Sequence, residues 1–395
     1  MKRAFLVAPL AALLLAGCAD DGRNGIDGAD GTGGLNSLVA TREVPKGDAT
    51  CAGGGRVLES GLDSNRNGTL DSSEVAATEY LECLTAPQLR ALHASPDAPA
   101  VDIRVNGTAV LTAVDYAQGS GFLPVGERTR VEVEAIVPGG NAVVIDESLS
   151  LDFSTEYTVI AAGRVADPIG ALVISNPADE AITNGSLRVQ VVHAAPAAPS
   201  VDVYVTAPEA DLAGSAKLNG APLAYMQYTG RVEAPAATYR IRVTPAGDAS
   251  TVVYDSGSLP LPAGADLLVA AVGNTGPGSS PIKLVALDGE GSSMLLDAAT
   301  PASVVAVHAS PDAPAVDVLA DDLATATVES LALATNVAFP GVCRIPAVPA
   351  PGSYEVSITP AGNPGVVPLQ FELSPEKADE ITAIVTGYLS GTPAL

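Results

Sequence analysis

The sequence predicts an all-β protein: three tandem immunoglobulin-like β-sandwich domains behind a small N-terminal module stapled by a disulfide and calcium. A ten-residue motif occurs three times, at His93–Asp102, His193–Asp202 and His308–Asp317. The copies start 100 (193−93) and 115 (308−193) residues apart, which is the size of a small sandwich domain. Aromatic content of 4% without tryptophan leaves cores of Val, Ala, Leu and Ile, which suit packed sheets. Glycines and prolines fall between the apolar runs, as turn residues do.

The N-terminus predicts export and a lipid anchor. Residues 1–17 have a basic start and an apolar core too short for a stable membrane span, which is typical of a signal peptide. The segment ends in Leu-Ala-Gly-Cys18, which resembles the bacterial lipobox. The resemblance implies cleavage before Cys18 and acylation of that cysteine, and several acyl chains make a lasting anchor. The alternative is an ordinary cleaved signal that ends near a cysteine. Ala19, rather than Asp, favours the outer membrane, and the Gly-rich residues 18–35 are predicted to be a flexible tether.

Residues 36–86 form a predicted calcium-loop module. The pattern over residues 63–74 matches an EF-hand loop, with glycine at the position of the sharp bend. We predict an exiting helix over Ser73–Leu84, and a short strand rather than a helix over Gly53–Gly61. This arrangement is closer to the single calcium loops of exported bacterial proteins, with Kd about 10⁻⁴–10⁻³ M, than to a paired sensor. The alternative is an Asx-rich turn without metal. The predicted ligands are Asp63, Asn65, Asn67, Thr69 (through its carbonyl), Asp71 and Glu74.

The cysteines support this module. Cys51 and Cys83 flank the predicted calcium loop, and an exported module of this size buries too little surface to fold securely alone. A disulfide between them should contribute roughly 3–4 kcal/mol on the chain-entropy model. With Cys18 assigned to the lipid anchor, Cys343 is not expected to form a disulfide, and its apolar surroundings predict a buried, unreactive thiol.

The three repeats are assigned to residues 87–182 (repeat 1), 183–298 (repeat 2) and 299–395 (repeat 3). Each begins with a short strand that ends at its histidine, and a Pro-x-x-Pro segment then forces a corner before the strand that starts with Val-Asp. The signature His-Ala-x-Pro-x-Ala-Pro-x-Val-Asp, with a later Pro-Ala-Gly turn, resembles the bacterial domain-of-unknown-function family 4397. The resemblance implies exported, often membrane-anchored β-domains and no established chemistry. Repeat 3 ends soon after Gly387, so we expect its last strand to be missing and one sheet edge to be exposed.

The conserved spacing of histidine and aspartate admits three interpretations. Catalysis would need a nucleophile beside the ring, but the serine that follows His93 and His308 in the motif is Ala195 in repeat 2. A metal site would need further ligands. We therefore expect the histidines to fix the proline corner by hydrogen bonds to its backbone or to the following aspartate. The residues concerned are His93, Asp102, His193, Asp202, His308 and Asp317.

The net charge of −25 argues against nucleic-acid binding and against basic docking to anionic lipid. We expect a non-enzymatic lipoprotein of the outer membrane or cell surface that acts in adhesion or binding to a protein or glycan. One alternative is a structural envelope spacer without a specific ligand. The other is a carbohydrate-binding accessory protein, which normally needs an exposed aromatic platform. A solvent-facing pair on one face from Tyr116, Tyr225, Tyr228 and Tyr254 would favour it.

Overall fold

A computed structural model describes residues 34–178, 180–325 and 331–390. Over these residues the chain forms 26 β-strands and no helix, which confirms the all-β prediction. The signal peptide, Cys18 and nearly all of the predicted tether lie outside the described residues. The described part contains no helix long and apolar enough to cross a membrane. The chain divides into two compact units, one comprising residues up to Asp48 with Gly54–Cys83, the other Ala49–Gly53 with the residues from Leu84 onward.

The N-terminal unit is a three-stranded antiparallel sheet. Its strands are β1 (Ser37–Val44), β2 (Gly55–Leu62) and β3 (Val75–Cys83), in the order β1-β2-β3. The helix predicted over Ser73–Leu84 is wrong, because β3 pairs with β2 and the resulting hairpin overrides the helix propensity of this segment. The strand predicted near Gly53–Gly61 is confirmed as β2. Cys83 forms the predicted disulfide with Cys51.

Each of the three repeats contains two sheets. We call the one that carries the motif histidine the histidine sheet, and the one that carries the motif aspartate the aspartate sheet. In repeat 1 the histidine sheet has the order β11-β10-β4-β7 and the aspartate sheet the order β6-β5-β8-β9. The strands are β4 (Gln88–Ala94), β5 (Val101–Val105), β6 (Thr108–Val114), β7 (Leu123–Pro124), β8 (Arg128–Ala135), β9 (Ala142–Ser150), β10 (Thr155–Arg164) and β11 (Asp167–Pro177).

Repeat 2 has the same plan. Its histidine sheet has the order β14-β12-β17-β18-β19, and its aspartate sheet has the order β13-β15-β16. The strands are β12 (Ser186–His193), β13 (Val201–Thr206), β14 (Val232–Pro235), β15 (Ala237–Pro245), β16 (Tyr254–Leu261), β17 (Asp266–Gly273), β18 (Ile282–Leu287) and β19 (Ser292–Leu295).

Repeat 3 has a narrower histidine sheet, β23-β20-β26, beside the aspartate sheet β22-β21-β24-β25. In the described part of the chain β26 is therefore an edge strand, whereas β10 and β17, its counterparts, have β11 and β18 beside them. Residues 391–395, on which the predicted missing strand largely depends, lie outside the described residues. The strands are β20 (Ala302–Ala309), β21 (Val316–Asp322), β22 (Leu331–Val337), β23 (Gly341–Val348), β24 (Tyr354–Pro360), β25 (Leu369–Leu373) and β26 (Glu380–Thr386).

Alternation of side chains places the core of each repeat between its two sheets. In repeat 1, Leu89 and Val159 from the histidine sheet pack with Ile103 and Val133 from the aspartate sheet, and all four are buried. Repeats 2 and 3 have equivalent clusters. Cys343 is a free, half-buried cysteine that packs against the core of repeat 3.

A second buried layer, which the sequence patterns do not predict, joins repeats 1 and 2. The outward side chains of the two histidine sheets pack against each other, so both faces of these strands are buried. Fully burying one such aliphatic side chain contributes about 1.5–3 kcal/mol. Repeats 1 and 2 are therefore two halves of one packed body rather than separately folded copies. The buried members of this shared layer are Leu92, Ala94, Ala117, Ile160, Ala162, Ile174, Val192, Ala194, Leu268, Ala270, Val272, Val285 and Leu287.

Candidate functional site at the proline corners

The histidine of each motif forms hydrogen bonds to backbone atoms of its own proline corner. The Nε2 atom of His93 lies 3.1 Å from the carbonyl oxygen of Pro99, six residues later. His193 and His308 make the same contact at 3.0 Å, to Pro199 and Pro314. On the other side of the ring, Nδ1 accepts a hydrogen bond from the backbone N–H two residues after the histidine, at 3.3–3.4 Å in all three copies.

These partners define the protonation state of the ring. A carbonyl can only accept and a backbone N–H can only donate, so Nε2 carries the hydrogen and Nδ1 has the free lone pair. Burial lowers the pKa of His93 and His193, outweighing the opposite effect of the carbonyls of Pro99 and Pro199. The rings are at most 2% exposed. Both nitrogens are thus engaged with backbone inside a buried corner, which leaves none to act as a base or a metal ligand.

The motif aspartates stabilise a different loop. Asp202 accepts hydrogen bonds from the backbone N–H of Gly247 (2.8 Å) and from Lys217 Nζ (2.6 Å). Asp317 accepts from Gly362 N and Asn336 N, both at 2.8 Å. The aspartate therefore joins the start of its strand to the Pro-Ala-Gly turn, and none of its hydrogen-bond partners is the histidine.

The pKa of Asp202 shows how tightly this carboxylate is held. Burial opposes its ionisation, but hydrogen bonds from Gly247, Lys217 and Asn219 outweigh that effect and lower its pKa. In repeat 1 the corresponding Asp102 accepts from Ala113 N at 2.9 Å and from Asn141 Nδ2 at 3.1 Å. The aspartate is a turn-fixing group in all three copies.

Two polar residues of the corner are present in repeats 1 and 3 and absent from repeat 2. Ser95 and Ser310 donate through Oγ to the carbonyls of Gly163 (3.0 Å) and Gly387 (2.9 Å). Asp97 accepts from Val165 N at 3.0 Å, and Asp312 accepts from Leu389 N at 2.8 Å. Each corner is thereby joined to the end of β10 or β26 and to the residues that follow that strand. Repeat 2 has alanines, Ala195 and Ala197, at these two positions.

In repeat 2 a residue from repeat 1 replaces the missing serine. Tyr116 donates its hydroxyl to the carbonyl of Gly273 at 2.6 Å. Gly273 is the last residue of β17, and Gly163 is the last buried residue of β10. The carbonyl of Gly273 therefore corresponds to the carbonyl of Gly163, which accepts from Ser95 in repeat 1. The same phenol ring stands edge-on to His93, with 6.1 Å between ring centroids. Tyr116 therefore connects the corner of repeat 1 to the corner of repeat 2.

The missing aspartate leaves space beside the corner of repeat 2. A pocket of about 260 Å³ lies there, between the corner of repeat 2 and residues Pro96 and Arg164 of repeat 1. Its walls are mainly proline, alanine and valine side chains, including the exposed Ala197. Arg164 is exposed and has no ion pair among the residues that the structure describes. The joint between two repeats thus provides a small, mostly apolar cavity with a cation at its rim.

The four tyrosines proposed for carbohydrate stacking do not form an exposed pair. Tyr254 is fully buried, and Tyr116 and Tyr225 pack against the shared layer. Tyr228 is the exposed member, with 43% of its surface accessible. A sugar-stacking platform needs two solvent-facing rings, and these four residues supply one.

The predicted calcium ligands converge in the loop between β2 and β3. Asp63 is 2% exposed, and its two carboxylate oxygens accept from Asn67 N (2.9 Å) and Gly68 N (3.0 Å). Glu74 accepts from the backbone N–H groups of Ser64, Asn65 and Asp71 at 2.8–3.1 Å, which closes the loop from its other end.

The remaining predicted ligands lie between these two carboxylates. The side-chain amides of Asn65 and Asn67 donate to Asp71 Oδ2 at 2.6 and 2.9 Å. Thr69 donates to Asn67 Oδ1 through both its backbone N–H and its hydroxyl, at 2.7 Å each. Gly68 has φ +78°, the left-handed conformation that the sixth position of such a loop requires. Three carboxylates and two amides around one turn are a donor set that suits a hard cation such as calcium.

Residues 87–204 match the model of a domain of unknown function, DUF4397. The match begins just before the first motif and extends past the second corner, so it confirms the resemblance seen in the sequence over that range. Residues 36–83 match a second domain of unknown function, DUF7151. Neither family description gives an activity.

No curated protein matches the chain. Among solved structures, "The Bacillus anthracis TIE protein" is similar at 9% identity with a TM-score of 0.20, covering 89% of this chain and 60% of that one. The chain thus spans less than two thirds of that structure's length.

Sequence reasoning located the corners but missed Tyr116, Arg164 and the pocket between them. The corners were found because their residues are contiguous in the sequence. Tyr116 and Gly273 are 157 residues apart, and nothing in the local pattern links them. One signal was visible in the sequence: Ala197 stands where the other two motifs have aspartate, so only the corner of repeat 2 lacks this polar side chain.

Proposed function

We propose that the protein is a non-enzymatic, lipid-anchored binding or adhesion protein of the bacterial cell surface, and that the pocket beside Ala197 is its binding site. The observation that carries this proposal is the cavity of about 260 Å³ built jointly by the corner of repeat 2 and by Pro96 and Arg164 of repeat 1. A concave, mostly apolar site with a few polar groups, here Arg164, Asn274 and Thr275, is the usual form of a small binding site.

The chemistry of the pocket indicates the kind of group that it would accept. Its volume is small for a drug-sized ligand, so it suits one or two side chains of a peptide or a single small moiety. Apolar walls favour an aliphatic or proline-like group, and the Arg164 guanidinium favours a neighbouring carboxylate. An acidic, proline-containing peptide segment fits both requirements.

The histidine geometry supports a binding role rather than catalysis. A general base needs a free ring nitrogen within reach of a substrate, and each ring here contacts the corner backbone through both of its nitrogens. The serine nearest to His93 donates to Gly163 O and is fully buried. The two-sheet repeats also agree with immunoglobulin-like domains, which often serve recognition.

Location at the cell surface rests on residues outside the described part of the chain. The lipobox-like segment that ends at Cys18 supports acylation and anchoring in the outer membrane. The net charge of −25 supports a soluble, displayed body that does not associate with anionic lipid through basic patches.

We further propose that the loop of residues 63–74 binds calcium. Asp63, Asn65, Asn67, Asp71 and Glu74 would provide side-chain oxygens and Thr69 its carbonyl, and the bound ion would neutralise the three carboxylates of this loop. Together with the Cys51–Cys83 disulfide, it would stabilise a small module whose strands bury little apolar surface.

The binding proposal can be tested with arrays of glycans and of tiled peptides probed with the full chain, in which Cys18→Ser removes the proposed acylation site. Ala197→Phe fills the pocket from an exposed position, so the fold should be retained. Ala207→Phe, also on the surface of repeat 2 but outside the pocket, is the matched control.

We expect the chain to bind some of the peptides. Ala197→Phe should weaken this binding at least about tenfold, which corresponds to a loss of roughly 1.4 kcal/mol in binding free energy, whereas Ala207→Phe should leave it unchanged. Binding that survives Ala197→Phe would place the site elsewhere. Absence of signal on both arrays would favour the structural spacer, and signal on glycans alone would favour the carbohydrate-binding accessory protein.

A further inference from the structure

The histidine sheet of repeat 3 exposes the face that repeats 1 and 2 bury against each other. Side chains paired across this three-stranded sheet project away from the core of repeat 3, and we call them the open face. Ile384 and Val342 on it are 60% and 68% exposed. The open face comprises Val305, Val307, Ala309, Val342, Arg344, Glu380, Thr382, Ile384 and Thr386.

Strand register shows that the open face is equivalent to the shared layer. Val307 directly precedes His308, as Leu92 precedes His93 and Val192 precedes His193. Ile384 is paired with Val307 in the parallel ladder, as Ile160 is paired with Leu92. Ile384 is 60% exposed, whereas Ile160 and Ala270 at its place in repeats 1 and 2 are fully buried. Val307 is half-buried, whereas Leu92 and Val192 are at most 1% exposed.

The aromatic residue beside the histidine is also in place. Tyr116 and Tyr225 stand edge-on to His93 and His193, with ring centroids 6.1 and 6.2 Å apart, and both pack against the shared layer. Phe339 stands edge-on to His308 at 6.1 Å but is 45% exposed. Repeat 3 thus has an aromatic residue beside its histidine, but no second sheet among the described residues packs against that residue as the shared layer packs against Tyr116 and Tyr225.

The charged residues of the open face correspond in position to an ion pair that joins repeats 1 and 2. Across the joint of repeats 1 and 2, Arg231 Nη2 contacts Glu156 Oε2 at 2.6 Å. Glu156 is the second residue of β10 and is paired with the residue five before the motif histidine, which is also the place of Glu380 on β26.

Arg231 directly precedes the edge strand β14 of repeat 2, whose first residue, Val232, is opposite Val189, four residues before His193. Arg344 on β23 is opposite the residue three before His308. Arg344 and Glu380 are both exposed, and neither has an ion pair among the residues that the structure describes. If two copies packed in the way that repeats 1 and 2 pack, each Arg344 would lie near the partner's Glu380.

We propose that the open face of repeat 3 binds the same face of a second copy of this chain, so that the protein self-associates through repeat 3 in the way that its repeats 1 and 2 associate within one chain. Three copies of a module that pairs face to face leave one unpaired. The partner that matches this copy in shape, in its aliphatic surface and in its paired charges is another repeat 3. This inference is independent of the proposed binding pocket, which lies at the other two corners.

The first test is sedimentation-velocity ultracentrifugation of the full chain with Cys18→Ser, from about 1 to 200 μM. We expect a monomer–dimer equilibrium that Ile384→Glu abolishes. Val366→Glu, which replaces another exposed apolar residue of repeat 3 (49% accessible) outside the open face, should leave the equilibrium unchanged. Because Ile384 is on the surface, circular dichroism should show that its variant remains folded.

The second test identifies the partner through charge exchange. Arg344→Glu and Glu380→Arg should each weaken self-association about tenfold or more, because like charges would face each other twice. Mixing the two variants should give a heterodimer, since both charge pairs are then complementary, and the double variant should again self-associate. A wild-type chain that stays monomeric, or a dimer indifferent to Ile384→Glu and to the charge exchange, would overturn the proposal.

Discussion

The hydrogen bond from Tyr116 to Gly273 gives a direct test of how the corners of repeats 1 and 2 depend on each other. Tyr116→Phe removes only the hydroxyl, so the ring keeps its place against His93 and below Lys283, whose Nζ lies 4.9 Å from the ring centroid. A partly buried carbonyl that loses its donor costs about 1–3 kcal/mol. We therefore expect the free energy of unfolding to fall by about 1–2 kcal/mol.

The structure also predicts a rescue. Ala195→Ser introduces the serine that satisfies the equivalent glycine carbonyl in the other two repeats, at 3.0 Å in repeat 1 and 2.9 Å in repeat 3. In the Tyr116→Phe background this serine should restore most of the lost stability, so the two substitutions should show a coupling energy of about 1 kcal/mol.

Urea unfolding followed by circular dichroism measures all four proteins of this cycle. Tyr225→Phe is the matched control, because the Tyr225 hydroxyl has no hydrogen bond within the described residues, and it should change stability by less than about 0.5 kcal/mol. Additive effects of Tyr116→Phe and Ala195→Ser would refute the idea that one hydroxyl replaces the other.

Two further predictions concern the calcium loop and the buried histidines. With Kd about 10⁻⁴–10⁻³ M, 10 mM calcium should stabilise the N-terminal unit by roughly 1.4–2.7 kcal/mol. Trypsin should then cleave at the exposed Arg66 about 10–100 times more slowly than with chelator, and Glu74→Gln should remove this difference; equal rates in wild type would contradict a calcium site. Burial lowers the folded-state pKa of His93 and His193 below the unfolded value of about 6.5, so the unfolded chain binds protons first as the pH falls. The contribution of these two rings to the unfolding free energy should be constant above about pH 7 and decrease below about 6.5, by at most about 2.7 kcal/mol per pH unit; urea titrations at pH 7.5 and 5.5 that agree would contradict this.

Much of the strand content could be predicted because it is encoded locally. Short apolar runs that end at Pro-x-x-Pro or Pro-Ala-Gly turns became strands, since clustered prolines and glycines favour turns over the ladder of a central strand. The segment Val75–Cys83 was misjudged because its alanine, leucine and glutamate residues favour helix, whereas pairing with β2 decides the outcome. Backbone pairing with a neighbouring strand of matching length therefore outweighs the local helix propensity.

The shared layer could not be derived from propensity, although a trace of it is present in the sequence. Val159–Ala162 and Leu267–Val272 are continuous apolar runs, which indicate strands buried on both faces. The equivalent strand of repeat 3 has Thr382 and Thr386 at its outward positions and is exposed there. The pattern distinguishes a buried outer face from an open one, but it does not identify which surface covers it. The pocket follows from that pairing, so it was equally inaccessible to sequence reasoning.

The central claim is that repeats 1 and 2 form one cooperative body through the shared layer. Leu268, in repeat 2, is 2% exposed and lies in that layer, so Leu268→Ala should cost about 2–5 kcal/mol. Hydrogen exchange measured by mass spectrometry on the full chain reports the effect on each strand. We expect amides of β4 and β10 in repeat 1 to exchange faster by the same factor as those of β12 and β17 in repeat 2. Faster exchange confined to repeat 2, with β4 and β10 unchanged, would contradict it.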